Sequence, residues 1–283
     1  MMASPRVSIV MLNYNGARYI NDAMNSVLTQ TFADFELLVV DGGSIDGSLE
    51  CVRRYVSRDS RVSLLIQKSK GVANAENEGI GAARGEYIAT LHSDDIYHPQ
   101  KITIQVAFLD SHQEFGACHA GGWLMDARGV RIGKCYPLGV PSFEDGRIFH
   151  SLLKEDFIIN GSVMIRRKQL GDLRFDPSVR FAEDWDFYLR LAKRVRIGYT
   201  EKELYGIRIH RGSNSSPSYV VRNLMRIPFY GIMLMKKWLR DFPDLETGDK
   251  LNLAIMALSA APNRYLVGGP VRVIAEVRAT RDD

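Results

Sequence analysis

Short apolar runs alternate with amphipathic stretches along this chain, and the alternation is most regular in its first third. Val7 to Leu12 is β-branched and apolar, the composition of a strand buried on both faces. After the turn Asn13-Tyr14-Asn15-Gly16, the residues Tyr19, Ile20, Ala23, Met24, Val27 and Leu28 recur at helical spacing. Phe35 to Val40 predicts a second strand. It ends in Asp41-Gly42-Gly43-Ser44-Ile45-Asp46-Gly47, after which Leu49, Val52, Tyr55 and Val56 share a helical face. Val62 to Gln67 predicts a third strand, residues 71–83 a Gly- and Ala-rich helix, and Tyr87 to Leu91 a fourth strand. This βαβαβαβ order predicts a parallel sheet with helices on both faces. Such sheets bind ligands at the carboxyl ends of their strands. Asn13 to Gly16, Asp41 to Ser44 and His92 to Asp95 all fall at those ends.

The pattern is less regular beyond this point. Residues 116–167 hold strand-like pieces at Gly122 to Met125 and Ser162 to Arg166, around a Gly- and Pro-containing loop. A helix is expected from Glu183 to about Lys193, then two strands, Ile197 to Thr200 and Leu204 to His210. Residues 217–283 read as a C-terminal helical extension. Within it Arg222, Arg226, Lys236, Lys237 and Arg240 accompany Leu224, Met225, Ile227, Phe229, Ile232, Met233, Leu234, Trp238 and Leu239, with an interruption at Pro228. A basic amphipathic stretch of this kind either lies on an anionic membrane surface or packs on the rest of the chain or on a second copy in a homo-oligomer.

Composition narrows the class. At 46% hydrophobic and 25% charged residues the chain is an ordinary globular one. A net charge of +4 is too small to imply nucleic acid. Cys51, Cys118 and Cys135 show neither CxxC pairing nor zinc-ligand spacing, which favours a reducing compartment. The N-terminal residues lead straight into a strand pattern without signal-peptide architecture. The longest apolar stretch, Leu251 to Asn263, is shorter than the roughly 18 residues of a spanning helix. The expectation is a cytoplasmic protein, with the inner face of the membrane as the surface it would touch.

Two acidic clusters carry the chemistry. Leu91-His92-Ser93-Asp94-Asp95 follows the fourth strand, and Glu183-Asp184-Trp185-Asp186 opens a helix. Carboxylates at a strand end can hold a hard divalent cation against a substrate phosphate. A second carboxylate, distant in sequence, can activate an acceptor. Together they suggest group transfer from a nucleotide-activated donor. Taken singly, the same residues also suit helix N-termini, Ser44 or Asp46 suits an N-cap, and His210 suits a packed or surface histidine.

Five segments in order carry a resemblance: Val7-Ser8-Ile9-Val10-Met11-Leu12-Asn13-Tyr14-Asn15; Ser26-Val27-Leu28-Thr29-Gln30-Thr31-Phe32; Val40-Asp41-Gly42-Gly43-Ser44-Ile45-Asp46-Gly47-Ser48; Asn77-Glu78-Gly79-Ile80 leading to Gly85-Glu86-Tyr87-Ile88; and Ser93-Asp94-Asp95. In this order and spacing the chain resembles the inverting glycosyltransferases of family 2, from Val7 to about Ser216. The resemblance implies an α/β GT-A fold: a Rossmann-like, mainly parallel sheet with helices on both faces, plus the C-terminal helical segment. It implies a catalytic domain over 1–216, with a nucleotide-sugar-binding half at 1–115 and an acceptor-binding half at 116–216. The implied reaction is metal-dependent, inverting transfer of one sugar from a nucleoside-diphosphate sugar, most often UDP-linked, to a saccharide or lipid-linked acceptor. By resemblance Asp94 holds Mn²⁺ or Mg²⁺ with His210 completing the site, and Asp184 is the base, with Glu183 as the alternative. The donor pocket would be lined by Asn13, Asn15, Asp41, Gly43, Ser44, Asn77, Ser93 and Asp95.

Three positions depart from the family pattern. His92 stands where an acidic residue is common, Gly42 replaces a second acid after Asp41, and Glu76 replaces the arginine of Ala-Arg-Asn. No Gln-x-x-Arg-Trp motif is present, so addition of a single sugar is expected rather than processive synthesis. One competing reading is a sugar nucleotidyltransferase, although Leu12-Asn13-Tyr14-Asn15-Gly16 lacks the basic Gly-rich loop such enzymes carry. Another, motivated by the three departures, is a non-catalytic sugar-nucleotide-binding subunit.

Overall fold

The computed structural model describes residues 4–137, 145–213, 227–258 and 271–274. Strands β1 (Val7–Asn13), β2 (Phe35–Asp41), β3 (Val62–Ile66) and β4 (Tyr87–His92) form a parallel half in the order β3-β2-β1-β4. They alternate with α1 (Ile20–Leu28), α2 (Ser48–Val56) and α3 (Val72–Ala82). Period-two alternation sends successive side chains to opposite faces. Val7, Ile9 and Met11 of β1, with Leu37 and Val39 of β2, pack with residues of α1, α2 and α4 (Lys101–Ser111). Val10, Leu38 and Val40 face the other way, into a second core shared with α3, α5 (Phe149–Lys154) and the C-terminal helices. Both faces of β1, β2 and β4 are covered, and their interior positions are mostly apolar.

Register positions the site. Asn13 lies opposite Asp41, and Leu12 opposite His92, so the three polar loops start side by side.

Beyond β4 the sheet becomes mixed. The short β5 (Ile96–Tyr97) is followed by the long β6 (Phe115–Met125), β7 (Arg131–Pro137) and β8 (Met164–Arg166), the last running antiparallel to both β4 and β6. After α6 (Arg167–Leu170) and α7 (Glu183–Ala192), β9 (Arg196–Arg208) runs parallel to β6 and antiparallel to β5. The two strands expected over 197–210 are therefore one. Glu201 adopts a left-handed φ of 52°, and register shifts opposite this region absorb the polar Glu201-Lys202-Glu203 excursion without ending the strand.

The C-terminal region holds α8 (Ile227–Asp241) and α9 (Thr247–Leu258). Pro228 sits in the first turn of α8, where a missing N–H breaks nothing, so it starts the helix rather than interrupting it. Residues 222–226 of the basic stretch lie outside the described residues. Leu234 and Trp238 of α8 are buried against the domain, and the Trp238 ring meets Trp185 edge-on at 5.1 Å. The helical reading of 217–283 fails at β10 (Val271–Ile274), which pairs antiparallel with β7. Its Val-Arg-Val-Ile sequence alternates at period two, as an edge strand does. No helix among the described residues is long and apolar enough to cross a membrane.

Candidate active site

The loops after β1 and β2 are locked together by their own side chains. Asn13 Nδ2 donates to Asp41 Oδ2 (2.6 Å), Ser44 Oγ (3.2 Å) and Ser48 Oγ (3.0 Å). Asp41, wholly buried, also accepts from the backbone N–H groups of Gly43 (2.9 Å) and Ser44 (2.8 Å) and from Ser44 Oγ (2.8 Å). Asn15 accepts from the Ile45 N–H (2.9 Å) through Oδ1, and its own N–H donates to Ser44 Oγ (2.8 Å). Asp46 caps Ala17 and Ser48, and these bonds hold its carboxyl below the ordinary value despite the upward push of burial. A Cβ at Gly16 would collide with Asn13 Oδ1 and Ser93 Oγ, so glycine lets the β1 and β4 loops meet.

Gly43, at φ 90°, has open space where a Cβ would sit, leaving its backbone accessible to a ligand. At Gly42 a Cβ would lie 3.1 Å from Gln67 Oε1 and 3.2 Å from Tyr14 Cδ2. A side chain there would require the ends of Gln67 and Tyr14 to shift by a few tenths of an ångström. Asn77 is engaged elsewhere: its amide donates to Phe175 O (2.9 Å) and accepts from Phe175 N (2.8 Å), tying α3 to the segment before α7.

The turn after β4 meets the end of β9. His210 Nε2 lies 3.1 Å from Asp94 Oδ2. The Gly212 N–H donates to His210 Nδ1 (3.2 Å), so Nε2 carries the proton and donates to the carboxylate; a cation between them would take that proton's place. Arg208, buried, donates from Nε to Asp94 O (2.8 Å) and from its backbone N–H to Asp95 Oδ1 (2.8 Å), and Tyr205 donates to Asp95 Oδ2 (2.7 Å). One ligand atom from each of His92, Asp94 and Asp95 falls within 4.8 Å of the others. Carboxylate oxygens with one or two imidazoles form a donor set that fits Mn²⁺ and, less well, Mg²⁺. Burial would raise Asp94, but the His210 contact and the His92 charge hold it low. Burial and the Asp94 charge push Asp95 up. His92 is lowered by burial and raised more strongly by Asp95, Asp94 and Glu76 together, so it ends above its ordinary value.

Across the crevice, α7 begins at Ala182 in a left-handed conformation (φ 56°) without a side-chain cap. Three acids occupy its first turn, and they divide in role. Asp186 is fully buried and paired with Arg190 (2.8 Å), Lys237 (2.9 Å) and the Trp238 indole N–H (2.9 Å). Glu183 and Asp184 lack cationic partners of that kind among the described residues. Burial and the neighbouring Asp184 charge raise Glu183 to about 7, and burial raises Asp184 as well. Both are within electrostatic reach of His92. Trp185 is a core residue, its indole N–H donating to Leu152 O (2.7 Å).

Sequence reasoning underweighted three side chains here. Glu76, on the inward face of α3, is completely buried, and neither carboxylate oxygen has a hydrogen-bond partner among the described residues. Burial raises it to about 7, with His92, Asn160, Glu183 and Asp184 around it. Asn160 accepts from the Tyr188 hydroxyl (2.6 Å) and presents Nδ2 at 3.4 Å from His92 Nε2. The signal for Glu76 was its departure from the expected arginine. Tyr188 sits within an ordinary helical apolar pattern and gave none.

The loops after β1 and β2, the turn after β4 and the acidic start of α7 belong to a fold and a sequence pattern that known proteins share. The profile described as Glycosyl transferase family 2 matches residues 8–170. A protein of Bacillus subtilis named as a glycosyltransferase, EpsE, is 32% identical over 214 residues, covering 74% of each chain. Glycosyltransferase-named relatives from Rickettsia are longer: the match to one from Rickettsia felis, 31% identical, covers 74% of this chain and 34% of that protein. Among solved structures, S. aureus TarS residues 1–349 in complex with UDP-GlcNAc aligns with a TM-score of 0.61 at 20% identity, covering 92% of this chain and 82% of that one. The mannosyltransferase PcManGT from Pyrobaculum calidifontis, in complex with GDP-Man and Mn²⁺, aligns with a TM-score of 0.64 at 18% identity, covering 94% and 73%. These two likenesses establish a common GT-A fold. The sequence matches go further: this chain belongs to glycosyl transferase family 2.

Proposed function

We propose that the chain transfers a single sugar, with inversion, from a nucleoside-diphosphate sugar to a hydroxyl of a glycan or lipid-linked acceptor. The observation that carries this reading is the pairing of Asp94 with His210 on one side of the crevice, with Glu183 and Asp184 facing the same His92 from the other. Residues 1–115 would hold the donor and 116–216 the acceptor. A divalent cation held by Asp94 and His210, with His92 and Asp95 adjacent, would neutralise charge on the departing diphosphate. Asn15, Ser44, Ser93 and the open backbone at Gly43 would face the nucleotide, on a base set by Asn13 and Asp41. Asp184 would take the proton from the acceptor hydroxyl, with Glu183 as its coupled neighbour. Single displacement needs one such base, unlike the carboxylate pair of glycoside hydrolysis.

UDP is the first nucleotide to test, since TarS is described with UDP-GlcNAc; PcManGT, described with GDP-Man, makes GDP the second. Calorimetric titration of UDP with and without Mn²⁺ is expected to show metal-dependent binding that Asp94→Ala weakens at least tenfold. Folded wild type that binds neither UDP nor GDP would overturn the donor assignment. Nucleotide binding without turnover across a broad donor and acceptor panel would favour the non-catalytic alternative.

For a lipid-linked acceptor, the outward face of α8 supplies the membrane contact. Phe229, Ile232 and Met233 are exposed there beside Lys236 and Arg240. Phe229→Ser with Met233→Ser is expected to lower sedimentation with anionic vesicles, and unchanged sedimentation would remove this contact from the proposal.

A further inference from the structure

The end of the parallel half opposite the crevice carries its own cavity, of about 340 Å³, where β1 and β4 begin and β8 ends. The length of β1 separates it from the crevice by roughly 20 Å at about 3.3 Å per residue. Three chain segments bring Arg6, Arg84, Glu86, Arg166, Arg167 and Lys168 to its walls.

The cations differ in how far their charge is already met. Arg166, 2% exposed, forms the floor: Nε donates to Phe115 O (3.0 Å), Nη1 to the Tyr87 hydroxyl (3.0 Å) and Nη2 to Leu109 O. Arg6 Nη2 binds both oxygens of Asp110 (2.8 and 3.0 Å). Its Nε lies 3.2 Å from Glu86 Oε2 but forms no hydrogen bond, and that atom is buried. Arg84 gives Nε and Nη2 to Glu36 (2.9 and 2.6 Å). Arg167 spends only Nε, on Gly85 O (2.6 Å), and neither Arg167 nor Lys168 meets a carboxylate among the described residues. Arg6, Arg84, Arg166, Arg167 and Lys168 thus stand against Glu86, Asp110 and Glu36, a surplus of two positive charges.

We propose that this cavity binds a small phosphate-bearing anion, at a site separate from the donor crevice. The surplus matches a phosphate dianion, and the unspent Arg167 fork and Lys168 ammonium supply charge-assisted donors of the kind phosphate takes. The volume lies at the small end of the roughly 300–1,000 Å³ typical of small-molecule sites, which suits a phosphorylated metabolite or one lipid headgroup rather than a polymer. Arg167 and Lys168 are exposed, so a ligand can reach them, and three segments bring them together beside the buried Arg166 guanidinium. The inference stands independently of the glycosyl-transfer reading.

The test is calorimetric titration of pyrophosphate, without metal and at low salt, into the full chain. Wild type and Asp94→Ala should bind one equivalent with similar affinity. Arg167→Ala with Lys168→Ala should bind at least tenfold more weakly, and Arg167→Lys with Lys168→Arg should retain most of the affinity. Metal-dependent UDP binding by the double alanine variant should be unchanged, which certifies its fold and separates the two sites. A second arm uses vesicles of phosphatidylcholine with or without phosphatidylglycerol. Sedimentation with the anionic vesicles that the alanine pair abolishes, without pyrophosphate binding, identifies a lipid headgroup as the source of the phosphate. Pyrophosphate binding without sedimentation identifies a free anion. Absence of both, or pyrophosphate binding lost in Asp94→Ala and kept in the alanine pair, overturns the proposal.

Discussion

On the donor side of the crevice, Asp41 and Asp46 are enclosed by N–H and O–H donors from their own loops. Around His92, Glu76 of α3 has no hydrogen-bond partner among the described residues, and Glu183 and Asp184, on the proposed acceptor side, lie within electrostatic reach of the same histidine. Asp41 and Glu76 are both wholly buried, with opposite consequences. A carboxylate saturated by backbone and hydroxyl donors fixes a loop. A carboxylate buried without them resists ionising, costs stability, and is poised to exchange a proton. The donor loops are therefore built for shape and the acceptor side for chemistry, and substitutions should separate the two.

The largest effect is expected at Asp184. Asp184→Asn should lower kcat by about 10²–10⁴-fold, the usual worth of a general base. The melting temperature should not fall, because a like-charged neighbour of Glu183 is removed. Turnover assays with thermal unfolding in parallel check both halves; full activity in this variant would transfer the role of base to Glu183. Asp41→Ala should do the reverse. It strands several buried donors at once and should destabilise the fold by about 4 kcal/mol in urea unfolding. Any activity loss should track the unfolded fraction. A stable Asp41→Ala that fails only to bind nucleotide would make Asp41 a ligand residue and dissolve the contrast.

Much of this contrast was legible before the fold was known, but unevenly. The strands β1, β2 and β4 and their loops could be read because burial on both faces leaves an unbroken apolar run with a polar stop. Asp94 and His210, far apart in sequence, do meet at 3.1 Å. What the pattern hid was long-range pairing. β8 is too short for periodicity to assign a partner, and β9 looked like two strands because a polar excursion broke its alternation. Hydrogen-bond saturation was equally hidden: nothing in Asp41-Gly42-Gly43-Ser44 says that the aspartate is wholly enclosed, nor in Ala75-Glu76-Asn77 that Glu76 is enclosed by nothing polar enough.

Glu76 sharpens the comparison at a smaller scale. Its pKa is raised from an ordinary 4.5 to about 7 by burial, so the folded state disfavours its charged form. The resulting destabilisation is absent below pH 4.5, accrues as pH rises to about 7, and is complete above that. Glu76→Gln should consequently be more stable than wild type by roughly 3 kcal/mol at pH 8 and nearly equal to it at pH 4, on about 1.36 kcal/mol per tenfold change. Thermal unfolding at the two pH values measures this. Lower activity alongside higher stability would mark Glu76 as a residue kept for function, whereas equal stability at both pH values would mean that the carboxylate finds a partner the structure does not provide.

The smallest expected effect is also the most specific to the acceptor side. Glu183 and Asp184 both have raised pKa values, Glu183 to about 7, through burial and, for Glu183, the adjacent Asp184 charge. Neighbouring acids titrate as a pair, so the step seen in kinetics belongs to both. The base must be ionised to accept the acceptor proton. Because burial shifts Asp184 upward, activity is lost as pH falls through a range above that of an ordinary aspartate. At saturating Mn²⁺ and donor, kcat should fall about tenfold for each pH unit below the apparent pKa. Burial alone raises Asp184, so Glu183→Gln should leave that limb in place and the plateau largely intact. A limb that moves to lower pH in Glu183→Gln would show that the Glu183 charge also holds Asp184 up. A limb at the ordinary carboxylate position in wild type would do more damage, since the acceptor-side carboxylates would then be as well supplied with partners as Asp41 and the contrast would lose its chemical half.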